Sequence, residues 1–332
     1  KVGLIDGDRH FTYRELDDRV ARLRTGLRSL GLASGDRVAG LALNSFRHFE
    51  AWFAIPTANL VFNDLNFRLA LAELEFIVDD SGATVLCADG RHWETAVALR
   101  ERCELLDRLV WMDDGPSPDG SPTWDELAGH EPAAAPADLD ADCIASIAYT
   151  GGTTGRPKGV VQLHGNLMSN ATHMLWANPL YESDRFLHLT PMFHSAGVAN
   201  MYAQTLVAGT QITCPGFDAE LVGRMIEEHR ATVCVLVPTM INMFLNHPGT
   251  RERDLSSWRM CLYAASPMPV ALLQRAMAEL PCGFSQGYGM TEMCPHVCQL
   301  GIDDHARAIA GDPEAIRRLA SAGTPCIGVD VE

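Results

Sequence analysis

Tyr149-Thr150-Gly151-Gly152-Thr153-Thr154-Gly155-Arg156-Pro157-Lys158-Gly159-Val160 closes an apolar run that starts at Ile144. Three threonine hydroxyls, four glycines and one lysine fall within these twelve residues. A loop of this make-up can wrap polyphosphate. Glycines let the backbone approach closely and take positive φ, successive backbone N–H groups form an anion-binding concavity, and threonine hydroxyls with a lysine add donors. The stretch therefore predicts a strand leading into a phosphate loop, and it points to ATP.

Spacing excludes two other phosphate loops. A Walker loop needs Gly-Lys-Ser/Thr in sequence, whereas here Pro157 precedes Lys158 and Gly159 follows it. A dinucleotide fingerprint needs Gly-x-Gly-x-x-Gly opening a helix, and Gly151, Gly152 and Gly155 do not have that spacing.

Outward from the loop, strands and helices alternate. Thr12 and Glu15 are set as a capping box ahead of Leu16, Val20, Leu23, Leu27 and Leu30, and Gly31 closes that helix. Strands are expected at Arg37–Leu43, Ala83–Cys87 and Arg108–Met112, with helices around Phe46–Ala58, Ala70–Asp80 and Trp93–Cys103. The alternation resumes with strands Cys143–Thr150 and Gly159–Leu163, a helix over Gly165–Trp176, and strands Arg185–Thr190, Gln211–Cys214, Ala231–Val237 and Arg259–Ala264. Such alternation predicts an α/β fold with mostly parallel sheets covered by helices. Residues 113–141, rich in Pro, Ala, Gly and Asp, read as a linker, although Trp124 and Leu127 suggest that part of it packs down. The expected division is 1–141 and 142–332.

At 332 residues the chain calls for two subdomains. Its 47% hydrophobic and 20% charged residues are a globular composition. No apolar run reaches the roughly 18 residues that span a bilayer. The formal net charge of −16 repels nucleic acid and anionic membrane. Anionic ATP must then be drawn by local donors and a metal cation. The ten cysteines include no Cys-x-x-Cys pair and fit reduced thiols in a cytoplasmic protein. Cys294-Pro295-His296-Val297-Cys298 would put three residues of metal-ligating type on one face of an extended segment, without an evident fourth ligand.

A second motif lies about 130 residues downstream: Gly287-Tyr288-Gly289-Met290-Thr291-Glu292. Tyr288 offers a flat face for adenine, Thr291 a hydroxyl for phosphate and Glu292 a hard oxygen for Mg²⁺. Two weaker stretches accompany it, Ala264-Ala265-Ser266-Pro267-Met268-Pro269 and Pro191-Met192-Phe193-His194, each following a strand-like run.

Together these stretches resemble the signatures of the adenylate-forming enzymes, the acyl-CoA synthetase superfamily. That family's usual loop is Tyr-Thr-Ser-Gly-Thr-Thr-Gly-x-Pro-Lys-Gly, from which this chain departs at Gly151. The resemblance implies a layered αβαβα large domain. It implies that Thr150, Gly151, Gly152, Thr153, Thr154, Gly155 and Lys158 hold ATP phosphates. Thr291 would contact the α-phosphate, Glu292 the magnesium, and Ala265, Ser266, Pro267, Gly287, Tyr288 and Gly289 the adenine side. Phe193, His194, Gly197, Ala265 and Gly287 would line the acid pocket, and Thr291, Glu292 and Lys158 would carry the catalysis. Small apolar residues near that pocket favour a fatty or aryl acid, and a histidine at 194 gives an amino acid's ammonium no counter-charge.

The implied reaction is ATP-dependent formation of an acyl-adenylate, then of a thioester with coenzyme A, by a cytoplasmic enzyme that leaves room for a homodimer. Loading of a carrier protein and a non-catalytic nucleotide-binding role are the alternatives. The last residues, from Gly323 on, resemble a segment still inside the family's large N-terminal domain. The downstream ribose-binding Thr-Gly-Asp, the hinge and the small C-terminal domain with its lysine are not found. The chain on its own is therefore expected to bind ATP weakly and to turn over poorly or not at all.

Overall fold

The computed structural model describes residues 1–151 and 155–331. They form two compact units. The first comprises Lys1, Phe11–Met168 and Met192–Val198; the second comprises Val2–His10, Ser169–Pro191 and the residues from Ala199 on.

The first unit is built on a six-stranded sheet in the order Arg108–Trp111, Val85–Ala88, Arg37–Leu41, Val61–Asp64, Ile144–Thr150, Lys158–Leu163. The first five strands are parallel, and Lys158–Leu163 runs antiparallel to Ile144–Thr150. Parallel strands need helical crossovers, and Phe46–Thr57, Leu71–Ser81 and Trp93–Arg102 provide them. The helix Tyr13–Ser29 starts as expected. Glu15 N donates to Thr12 Oγ1 at 3.2 Å, and Thr12 N donates back to Glu15 Oε2 at 2.7 Å. Gly31 just beyond it has φ +85°, a conformation that favours glycine.

The strand Val61–Asp64, fully buried, was not evident from the sequence. Four residues ending in Asn63-Asp64 carry no alternation to mark them. Residues 113–141 lie within the first unit. Trp124 is wholly buried in a helix of one turn capped by Thr123, and its Nε1 donates to Glu50 Oε2 at 2.9 Å. Glu50 is itself buried and is compensated by Arg19, whose Nη2 donates to it at 3.1 Å. A buried carboxylate without such partners would cost several kcal/mol. The packing-down suggested by Trp124 and Leu127 is thus real.

A nine-stranded sheet in the order Thr324–Pro325, His296–Leu300, Gly283–Gly289, Met260–Tyr263, Val233–Leu236, Arg185–His188, Thr210–Thr213, Val2–Asp6, Arg9–Thr12 has its first eight strands in the second unit. The pairs from Val2–Asp6 through Gly283–Gly289 are parallel, and His296–Leu300 turns antiparallel. Helices Ala219–His229, Pro238–Asn246 and Val270–Glu279 contribute Val222, Ile226, Ile241, Phe244 and Leu273 to its apolar core. The chain is thus an α/β protein with mixed, mostly parallel sheets. Among the described residues no helix is long and apolar enough to cross a membrane.

Candidate functional site

In the first unit the expected phosphate loop sits on a β-hairpin, and Gly152, Thr153 and Thr154 lie outside the described residues. Thr150 and Lys158 are register partners at the two rims. Thr150 ends a strand parallel to Val61–Asp64, so the loop leaves the sheet at a carboxyl end, where open α/β sheets bind ligands. Lys158 is exposed, as are Gly151 and Gly155. A Cβ placed on Gly151 would meet nothing within 4 Å.

Tyr149 is held from the side. Its hydroxyl donates to Asp80 Oδ2 at 2.6 Å, and its ring packs against the cluster formed by Leu41, Leu74, Leu86 and their neighbours. Desolvation first, then the hydrogen bond to Asp80, raises the tyrosine pKa, so the proton stays on the phenol. Gly159 faces Tyr149 across the hairpin. A Cβ there would fall 2.8 Å from Ile147 Cγ2 and 3.1 Å from Tyr149 Cζ. The glycine after the lysine is therefore a packing requirement of the tyrosine ring. On the other rim, the Arg156 guanidinium lies 5.3 Å from the Phe76 ring centroid.

Phe193, His194 and Gly197 belong to the same unit. Met192 N donates to Asn44 Oδ1 at 2.8 Å, which anchors the segment. Gly197 N donates to His194 O at 2.8 Å as the helix Ser195–Leu206 begins. Phe193 meets Phe67 edge-on with centroids 5.1 Å apart, and the His194 ring follows 4.3 Å beyond Phe193. The Arg68 guanidinium lies 5.2 Å from the Phe67 ring and 5.9 Å from the Phe193 ring. Desolvation by surrounding groups, then the Arg68 charge, holds the His194 pKa below the ordinary value, while Asp64 opposes them. His194 is thus a neutral imidazole near pH 7. Arg68 escaped the sequence reading because no spacing ties it to residues 193–194.

Behind this cluster lies a buried polar set. His48 Nε2 and Asp64 Oδ2 are 2.6 Å apart, and Trp52 Nε1 donates to the same oxygen at 2.9 Å. Burial alone would lower the His48 pKa; the Asp64 charge and hydrogen bond outweigh it and raise the pKa.

In the second unit, strands Met260–Tyr263 and Gly283–Gly289 are parallel neighbours, so Ala264–Pro267 and Gly287–Gly289 share the carboxyl end of one sheet. Ala265, Ser266 and Pro267 are exposed, and Ala265 has φ +72°. An alanine in that region stores strain of order 1 kcal/mol, a mark often found at ligand sites. Tyr288 is 45% exposed. Gly289 has no room for a side chain, because a Cβ would fall 1.7 Å from Pro295 O. Met290 N donates to that same oxygen at 3.0 Å. Thr291–Met293 forms a single 3₁₀ turn on which Glu292 is exposed, with no cation partner among the described residues. A hard, accessible carboxylate of this kind suits a divalent cation.

The face shared by Cys294, His296 and Cys298 does not form. Cys294 has φ 66° and stands before the strand, which begins at His296. Burial first, then the charge of His173, lowers the His296 pKa to about 4. Among the described residues no group of three His, Cys, Asp or Glu side chains could hold a metal.

Comparison with known proteins adds to this geometry. The family described as AMP-binding enzyme matches residues 1–332. A feruloyl-CoA synthase of Amycolatopsis sp is 38% identical over 326 residues, covering 98% of this chain and 61% of that protein. A long-chain-fatty-acid–CoA ligase of Thermus thermophilus is 32% identical over 317 residues, covering 95% of this chain and 58% of the ligase. The crystal structure of the N-terminal domain of FACL13 from Mycobacterium tuberculosis superposes with a TM-score of 0.85 at 28% identity, covering 98% of this chain and 79% of that one. The chain thus spans about three fifths of the length of the two curated relatives.

Proposed function

Because the chain belongs to the family of AMP-binding enzymes, we propose that it carries the ATP- and acid-binding part of an AMP-forming acid–thiol ligase acting with coenzyme A. The observation that carries this reading is the family match over residues 1–332.

A carboxylate is a resonance-stabilised, poor electrophile. In the proposed reaction its oxygen forms a bond to the α-phosphorus of ATP and pyrophosphate leaves. The thiol of coenzyme A then bonds to the acyl carbon of the adenylate, AMP leaves, and the thiol proton passes to solvent. The first step brings two anions together, a repulsion of about 4 kcal/mol for unit charges at 4 Å and an effective dielectric of 20. Donors from Thr150, Gly151, Gly152, Thr153, Thr154, Gly155 and Lys158 are proposed to offset it at the outer phosphates, and Thr291 at the α-phosphate. Glu292 would hold Mg²⁺, which supplies further charge neutralisation when bound. Tyr288, flanked by Gly287 and Gly289, takes the adenine face together with Ala265, Ser266 and Pro267.

Phe193, His194, Gly197, Ala265 and Gly287 are proposed to receive the acid. The aromatic contacts of Phe193 with Phe67, the nearby Arg68 cation and the neutral His194 support an apolar or aromatic carboxylic acid over an amino acid. The names of the two curated relatives, one for ferulate and one for long-chain fatty acids, support the same two classes. A cytoplasmic setting belongs to the proposal, supported by ten cysteines that are all free. A homodimer belongs to it as well, to be read by sedimentation.

Pyrophosphate release by the full-length protein, scored over hydroxycinnamic, benzoic, fatty and amino acids, tests the reading. Acid-dependent release with an aryl or fatty acid, followed by a thioester on adding coenzyme A, is expected. Acid-independent phosphate release, or no pyrophosphate with any acid, would overturn it. Adenylate without a thioester would move the acceptor to a carrier protein.

A further inference from the structure

Phe76 and Asp80 are four residues apart on the helix Leu71–Ser81, and residues at that spacing share a helix face. Each holds one rim of the phosphate-loop hairpin: Asp80 accepts from the Tyr149 hydroxyl at 2.6 Å, and Phe76 lies 5.3 Å from the Arg156 guanidinium. Tyr149 immediately precedes Thr150, and Arg156 stands two residues before Lys158.

Asp80 sits in the last turn of its helix. The partial negative charge of a helix C-terminus disfavours a carboxylate there, by roughly 0.3–1 kcal/mol at the surface. The side chain is exposed, so burial does not dictate a carboxylate either. Helix stability thus gives no reason for an acid at this position, whereas the tyrosine hydroxyl does. Phe76 is half-buried, leaving a ring face for Arg156.

We infer that the helix Leu71–Ser81 is a clamp for the phosphate loop, with Asp80 and Phe76 as positioning residues that fix Thr150 and Lys158 for the nucleotide, a role that presupposes the ATP function proposed above for that loop. Neither residue touches the reacting atoms. Asp80 acts through Tyr149, and Phe76 acts through Arg156. The clamp explains why a tyrosine opens the loop and why Gly159 keeps the space beside it open.

The test compares Asp80→Ala, Asp80→Asn, Tyr149→Phe and Phe76→Leu in the full-length protein. KM for ATP and KM for the acid are measured separately, together with amide hydrogen exchange across residues 144–163. Losing one hydrogen bond of ordinary net strength corresponds to roughly three- to tenfold in an equilibrium constant. Asp80→Ala and Tyr149→Phe are each expected to raise KM for ATP by about that factor, with KM for the acid and the melting temperature little changed. Combining the two should add nothing further, because both remove the same bond. Asp80→Asn keeps an acceptor oxygen and should restore most of the loss. Phe76→Leu should speed exchange on the Arg156 side.

Unchanged KM for ATP in Asp80→Ala would overturn the inference. So would a rise in both KM values together with a lower melting temperature, since that pattern is general destabilisation. Hydrogen exchange needs no substrate: if the unaltered protein releases no pyrophosphate with any acid, the enzymatic reading fails. Faster exchange at 150–158 in Asp80→Ala would still support the clamp in that case, and unchanged exchange would reject it.

Discussion

Gly159 stands opposite Tyr149 in the hairpin, and one methyl group on it would fall 3.1 Å from the tyrosine Cζ and 2.8 Å from Ile147 Cγ2. Both neighbours are constrained: Ile147 by the sheet, and the phenol by its bond to Asp80. Gly159→Ala should therefore cost about 1–3 kcal/mol, the usual range for overpacking. A chemical-denaturation midpoint would report the loss. A spectrophotometric titration should also show the Tyr149 pKa falling toward the ordinary phenol value. A variant as stable as the parent would contradict the packing account.

Gly151 has the opposite character. A Cβ there meets open space, so Gly151→Ser should leave stability within about 0.5 kcal/mol of the parent. Under the proposed function the added hydroxyl offers the phosphates one more donor, and KM for ATP should fall by up to about tenfold. An unchanged or higher KM would show that a donor at this position does not reach the nucleotide.

Gly289 admits no substitution. The atom in the way is the backbone carbonyl of Pro295, at 1.7 Å from the added Cβ, and no side-chain rotation relieves it. Gly289→Ala should destabilise by about 3 kcal/mol or more. Its thermal unfolding should shift down well beyond that of Gly159→Ala, and a smaller shift would mean that the 291–295 turn yields easily.

His188 and His296 set an acid limit on stability. Burial pushes each pKa down to about 4 from an ordinary value of 6.5; the hydrogen bond that His188 Nε2 donates to Gln211 Oε1 works against it at His188, while the charge of His173 adds to it at His296. The unfolded chain then binds more protons than the folded one between about pH 6.5 and pH 4, so stability rises with pH across that window and is lost as pH falls. Linkage arithmetic gives about 2 kcal/mol per histidine between pH 7.5 and pH 5. Urea unfolding at those two pH values should show the difference, and His188→Gln should remove about half of it. A flat profile above pH 5 would rule out neutral, buried imidazoles at both positions.

Much of the fold was legible because its signals are local. The capping box at Thr12 and Glu15 and the apolar strand runs each declare themselves within a few residues, and each falls where expected. The Tyr149–Asp80 bond joins residues 69 positions apart, and no local rule anticipates which helix turn a strand end will meet. Arg68 beside Phe193 was hidden for the same reason. The strand Val61–Asp64 was missed because a short, fully buried parallel strand has no alternation to show. At Cys294, an extended reading failed because the backbone turns into the left-handed region before the strand begins.

The hairpin's two arms also differ in mechanical compliance. Among the described residues, Ile144–Thr150 has a neighbouring strand on each side, whereas Lys158–Leu163 has one only and ends its sheet. Displacing the threonine arm would break two ladders and disturb the sheet interior; displacing the lysine arm would break one. Val161 on that outer arm is already 52% exposed. Sequence drift and engineered change are therefore cheapest along the outer arm, where the reach of Lys158 can be retuned while the inner arm keeps Thr150 in place.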